Sequence, residues 1–278
     1  MRRFVKIDHR FALLLACAAV AAFAFRALHL PGAWLFGPLA VSSFFAVRGW
    51  QAAKFPNAAY LAAQAVIGTA LGGGFSAGTL SVLPQHFGIF LFAVVFILLA
   101  SLGNGWLLAR FTTLDAGTAF LGTMPGGASS MAAMSDSLHA DTRLVTTIQY
   151  ARLLVILATL AVAGTLLDHH DAGGPSPFAA AGTFVAWKFG VLVLLAITGW
   201  LAGTYTKIPA GTFLVPTVLY CVLNGFGIAA DKWPWPILAT AYMIMGLQIG
   251  GRFHPSTITI IRGVLLPVIG TTLLLLTA

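Results

Sequence analysis

Glutamate is absent from this chain. All seven acidic residues are aspartate, and acidic and basic residues together make up only 8% of 278 positions. A soluble domain carries about a quarter charged residues, so the polarity here is too sparse to cover a globular surface. Cysteine is nearly absent as well. Cys17 and Cys221 both lie inside apolar runs, which excludes a disulfide framework or a zinc centre and reads as packing. The seven histidines are dispersed, and only His169 and His170 are adjacent. Flanked by Asp168 and Asp171, that pair could hold a metal, but a solvated loop is the expectation. A metal-dependent enzyme needs clustered ligands, so no enzyme activity, metal or other cofactor is expected. A basic cluster is missing too. The formal charge is +8, yet Lys and Arg are scattered at the ends of apolar runs, where cytoplasmic basic residues orient membrane segments. No groove-binding face forms, and no nucleic-acid partner is expected.

What is present is hydrophobic. Apolar residues make up 59% of the chain, and the mean hydropathy is +0.93. With about 20 apolar residues to a span, the sequence reads as an all-α, polytopic helical membrane protein of about nine or ten membrane segments, with the lipid bilayer as partner. The apolar runs are Phe11 to Leu28, Ala33 to Val47, Ala58 to Phe75, Phe87 to Ala109 and Ala116 to about Met134. They continue with Leu144 to Leu167, Phe178 to Gly203, Phe213 to Phe226, Ile237 to Gly251 and Ile258 to Ala278. The N-terminus resembles a signal peptide, with Leu14-Leu15-Ala16-Cys17 faintly like a lipoprotein site. The apolar stretch before Cys17 is too short for that. The expectation is an uncleaved first helix whose Arg2, Arg3, Lys6 and Arg10 hold the N-terminus in the cytoplasm, in the cell inner membrane.

The one hydrophilic connector, Asp168 to Pro177 (DHHDAGGPSP), reads as a loop from its Gly and Pro content. It divides the chain into 1–167, a linker 168–177, and 178–278. The halves are related by a shift of 178 positions: Pro31 falls on Pro209, Pro38 on Pro216, Gly49 on Gly227, Lys54 on Lys232 and Pro56 on Pro234. Further on, Gly68 falls on Gly246, Gly72 and Gly73 on Gly250 and Gly251, and Phe75 on Phe253. Shared Pro and Gly at one offset predict an internal duplication, typical of secondary transporters. Those glycines have the spacing that lets helices approach closely, so packing is expected of them ahead of binding. Gln248 among them could line a pathway or bond to a neighbouring backbone.

Between two apolar runs lies Met124 to Arg152, MPGGASSMAAMSDSLHADTRLVTTIQYAR. A Pro-Gly-Gly there predicts a broken or re-entrant helix, tolerated in hydrocarbon only where it is buried in protein or lines a cavity. A helix restarting at Ala128 would present the positive end of its dipole to a ligand. Pro125, Gly126, Gly127, Ser129 and Ser130 are therefore candidate binding positions. Thr142, Thr146, Gln149 and Arg152 follow at spacings of four, three and three, one polar stripe. Arg152 falls roughly 12 Å into its span at 1.5 Å per residue. Its partner is either a ligand or an ion pair with Asp136 or Asp115. The set favours a small polar or anionic solute. By the offset, a second Pro-Gly-Gly belongs near 303, past Ala278. The second repeat is thus expected to be incomplete, and either the chain is a shortened relative of a two-repeat protein or a second subunit completes the site as a homo-oligomer.

Orientation turns on the same stretch. If it dips and returns, Arg48, Lys54, Arg110, Arg143, Lys207 and Arg252 are cytoplasmic and the halves are inverted. If it crosses, the halves are parallel. The positive-inside rule favours the first arrangement, with the Lys- and Arg-free loop Asp168 to Asp171 facing outward, so inverted repeats are expected, although Arg26 and Lys232 fit it poorly.

The segment MPGGASSMAAMSDSLHADTRLVTTIQYARLL resembles the Pro-Gly-Gly segment of the AbrB membrane protein family, as do IPAGTFLVPTV (Ile208 to Val218) and GLQIGGRF (Gly246 to Phe253) its second-repeat motifs. Members often carry the label ammonia monooxygenase or regulator of aidB expression. The resemblance implies a duplicated inner-membrane protein, transporter-like, with any regulation of gene expression indirect. Asp141, Gln149 and Arg152 match the family pattern. Ser130 stands where the family usually has Glu, which puts proton-coupled activity in doubt.

Overall fold

The computed structural model describes residues 9–28, 30, 32–50, 56–75, 78, 82, 84–112, 114–126, 131, 134, 135, 138–149, 151, 152, 155, 159, 186–206, 210–226 and 232–253. Among these the regular elements are all helical. They are α1 (His9–Ala27), α2 (Ala33–Val47), α3 (Asn57–Gly72), α4 (Phe87–Phe111), α5 (Ala116–Thr123), α6 (Ala186–Tyr205), α7 (Gly211–Gly225) and α8 (Trp235–Gly250). Residues 142–149 are helical as well. The helices follow the apolar runs closely, and proline and glycine punctuate them. Three of them, α1, α4 and α6, are long and apolar enough to cross a membrane, while α2, α7 and α8 are shorter apolar helices. The polar linker 168–177 and the last apolar run lie outside the described residues.

The chain forms two compact units, Met1–Pro84 with Gly164–Arg252, and Gln85–Ala163 with Phe253–Ala278. These are contact units drawn from interleaved segments, whereas the halves read from the sequence are contiguous.

In the first unit several positions 178 residues apart share local backbone geometry. Gly32 ahead of α2 and Ala210 ahead of α7 both adopt the left-handed conformation, with φ 66° and 55°. Pro38 and Pro216 lie inside those two helices. Pro56 ahead of α3 and Pro234 ahead of α8 share φ −53° with ψ 133° and 134°. Gly73 and Gly251 close these helices at φ −66° and −67°. Ala210 accepts a backbone state that glycine adopts without cost, so the cap is kept where its usual residue is not.

Packing directions follow from individual contacts. The Thr217 hydroxyl donates to the Gly68 carbonyl at 2.9 Å, and the Asn224 amide to that of Phe75 at 2.7 Å, so α7 runs parallel to α3. Gly246 packs on Pro38 and Gly250 on Ser42, so α8 runs parallel to α2. Between α3 and α8 the Trp233 indole donates to Thr69 at 2.7 Å, while Ala63 and Ile67 cluster with Ala241. That pair is antiparallel. So are α1 with α2, where Gly37 meets Ala21 and Ala22, and α6 with α7, where Gly199 meets Pro216 and Gly203 meets Gly211. Together these directions place every helix opposite in sense to its partner 178 residues on.

The third helix of each set also packs on the second helix of the other. Small residues make this possible: a Cβ on Gly72 would stand 2.6 Å from the Thr217 carbonyl, and one on Gly250 2.5 Å from that of Leu39. Between lipid-bathed helices such close approach and buried hydrogen bonds supply most of the attraction.

In the second unit α4 buries one stripe, Ser101, Asn104, Gly105 and Leu108, and leaves its remaining apolar side chains largely exposed. Leu108, Ala119 and Ile148 form the core that joins α4, α5 and helix 142–149.

Candidate functional site

The polar stretch is organised by a short helix with both ends satisfied. At its start, Asp115 accepts from the Thr118 backbone N–H at 2.9 Å. The Thr118 bonds hold this exposed carboxyl below the usual carboxylate range. α5 then stops at Thr123, and Met124 turns to extended backbone ahead of Pro125. Proline disfavours helical geometry in the residue before it, which is why the helix ends there.

The chain then returns to where it entered. The Asp141 N–H donates to the Thr118 hydroxyl at 2.9 Å, placing residue 141 beside the first turn of α5. Asp141 caps the next helix by accepting from the Arg143 and Leu144 N–H groups at 2.8 and 3.2 Å. Ser135 donates to Thr142 at 2.8 Å across the same turn. From there helix 142–149 runs parallel to α5: Val145 packs with Leu121, then Ile148 against Gly122.

That register brings Gln149 and Arg152 to the carboxyl end of α5. The Gln149 amide donates to the Leu121 carbonyl at 2.8 Å and to that of Met124 at 3.0 Å. Arg152 donates to the Thr123 carbonyl, and also to the Gln149 side-chain oxygen at 3.0 Å. A helix end leaves its last carbonyls without intrahelical partners and carries partial negative charge. Here a buried amide and a guanidinium satisfy both needs. No carboxylate among the described residues pairs with Arg152, and Asp115 is committed to the other end of α5.

The candidate residues therefore separate. Pro125, Gly126, Gln149 and Arg152 meet at the tip of α5, with Gly126 against the Met131 side chain. Thr146 lies on the same helix but its hydroxyl donates at 2.7 Å to the Thr142 carbonyl one turn back. Gly127, Ser129, Ser130 and Asp136 lie outside the described residues, as do His169 and His170. Gly68, Gly72, Gly246 and Gly250 sit at helix crossings, Gly73 packs on the Tyr220 ring, Gly251 follows α8, and Gln248 is half-buried. No group of three or more His, Cys, Asp or Glu residues placed to hold a metal occurs among the described residues.

Sequence reasoning missed two residues, Ser101 and Asn104. They are polar positions on the buried stripe of an otherwise apolar helix. The signal was available: spacing with Gly105 and Leu108 puts them on one face.

A model of the family described as transition state regulatory protein AbrB matches residues 2–81 and 53–278. A relative from Escherichia coli (strain K12), named "Putative regulator AbrB", is 32% identical over 229 residues, covering 82% of this chain and 66% of the relative. One from Bacillus subtilis (strain 168), "Uncharacterized protein YhjN", is 27% identical over 246 residues, covering 80% of this chain and 64% of the relative. The chain thus spans about two thirds of the length of these curated relatives. No solved structure matches it.

Proposed function

The chain belongs to the AbrB family, and from that premise we propose that it is an integral membrane transporter-like protein which binds or moves a small anionic solute at the tip of α5. The observation that carries the proposal is that Asp141 returns to the first turn of α5. α5 descends about 12 Å at 1.5 Å per residue, roughly halfway through a hydrocarbon core of about 30 Å. The Asp141–Thr118 bond then brings the chain back to its entry level. Read in a bilayer, this is a re-entrant hairpin, and non-helical backbone at that depth occurs where it lines a protein-enclosed cavity. Arg152 places positive charge at the same level without an acidic partner among the described residues. A buried cation of that kind favours an anion.

The helix directions support the same topology. The three matched helix pairs form an internal duplication inserted in opposite senses. With α2 and α3 antiparallel and α6 opposed to α1, the chain leaves α3 and enters α6 on one side of the membrane. An even number of crossings must lie between. α4 and the run beginning at 142 supply two, and the α5 hairpin adds none. Inverted repeats around broken helices are the architecture of many secondary transporters.

The family description and the Escherichia coli relative's name favour a second reading, a non-transporting membrane protein that acts indirectly on gene expression. Proteoliposomes containing the chain separate the two. Saturable entry of labelled acetate, glycolate, phosphate or chloride, lost in Arg152→Ala and kept in Gly103→Ala, is the expected result. Absence of saturable flux for every anion supports the second reading.

A further inference from the structure

We propose that Asn104, with Ser101 beside it, forms the second wall of the site at the tip of α5 and reads a neutral hydrogen-bonding group of the anionic solute. The inference rests on the anion-site reading above. Asn104 is 9% exposed, and its side chain makes no hydrogen bond among the described residues. The residue is largely enclosed, yet its amide is not among the buried polar atoms left without a partner, so the amide keeps access to open space between the helices. A helix whose other side chains are mainly Phe, Leu, Ile and Val gains nothing structural from it.

Its placement gives the reason. Ser101, Asn104, Gly105 and Leu108 share the face turned to α5. Leu108 packs with Ala119, and a Cβ on Gly105 would stand 2.6 Å from the Phe120 ring and 2.9 Å from the Thr123 hydroxyl. α4 and α5 therefore run antiparallel. Asn104, next to Gly105, thus lies level with Thr123, and Ser101 one turn further back along α4 lies toward Met124–Gly126, where the helix is broken. The Arg152 guanidinium reaches the same tip through the Thr123 carbonyl.

A carboxylate suits a guanidinium, which can bind it bidentately. An asparagine amide offers two donors and one acceptor in fixed geometry, which suits a hydroxyl or amide next to that carboxylate. The solute class is a small organic acid bearing a neutral polar substituent.

Acetate and glycolate differ by one hydroxyl and serve as probes in calorimetric titration of the full chain in nanodiscs. The wild type should bind glycolate about tenfold more tightly than acetate, the worth of about one hydrogen bond. Asn104→Leu should bring glycolate to the acetate level and leave acetate unchanged, while Arg152→Lys weakens both. Equal affinities in the wild type, or an intact preference in Asn104→Leu, overturn the role of Asn104 and leave the anion site standing. Failure of the wild type to bind either acid overturns both. Without ligand, Asn104→Leu should melt no lower than the wild type. A lower melting temperature contradicts the assignment, since it shows the amide to be bonded structurally.

Discussion

A glutamine and an arginine three residues apart would ordinarily be read as ligands in an oily chain, and here they are first of all helix caps. Gln149 satisfies two carbonyls at the end of α5, and Arg152 a third. Gln149 is 5% exposed, so both carbonyls it serves lose their partner when it is replaced. Gln149→Leu is expected to lower unfolding stability in detergent by about 2 kcal/mol. Thr146→Val removes only a bond to the residue's own helix and should change stability by no more than about 0.5 kcal/mol. Equal losses in the two variants contradict the capping assignment. Asp115 carries a pH prediction. Its carboxyl is held low by Thr118, so its contribution is present above the ordinary carboxylate pKa and is lost as pH falls through the lowered folded value. Acid unfolding should therefore begin at higher pH in wild type than the remaining curve of Asp115→Asn predicts by additivity, and the difference between the two should vanish in strong acid.

At the scale of elements, glycine decides which helices can touch. Gly68 on α3 lies against the backbone at Phe213, and Gly246 on α8 against the backbone at Leu35, equivalent positions in the two sets. Gly68→Ala and Gly246→Ala are each expected to cost about 1–3 kcal/mol through overpacking, and by similar amounts because their surroundings correspond. Gly103 has open space beside it, and Gly103→Ala should be neutral or slightly stabilising through helix propensity. Much of this level was legible in the sequence. Pro38 and Pro216 lie inside corresponding helices and Gly68 and Gly246 at corresponding crossings, and such residues stand out in the sequence because they are constrained by backbone geometry and not by hydrophobicity. The run Ala33 to Val47 coincides with α2. The helix directions were not legible, since Leu- and Ala-rich faces carry no polarity of sense. Nor was the destination of Gln149 and Arg152, because a carbonyl that needs a cap leaves no mark on the side-chain sequence. Asn104 is visible in the sequence, but its neighbours Phe92 to Leu99 make the helix look uniformly lipid-facing.

At the scale of the whole molecule, a re-entrant site requires that the chain dip between α4 and helix 142–149 and come back. The depth of Arg152 and the anion site both depend on it. If the stretch crossed the membrane, α6 would start on the opposite side, and the positions bracketing it would face different compartments. Phe111 and Leu138 are exposed and flank the stretch on either side of α5. With Cys17 and Cys221 replaced by alanine, single variants Phe111→Cys and Leu138→Cys can be labelled with a membrane-impermeant maleimide added to one face of oriented vesicles. A re-entrant hairpin predicts that both cysteines react from the same face and neither from the other. Reaction of the two from opposite faces would contradict it.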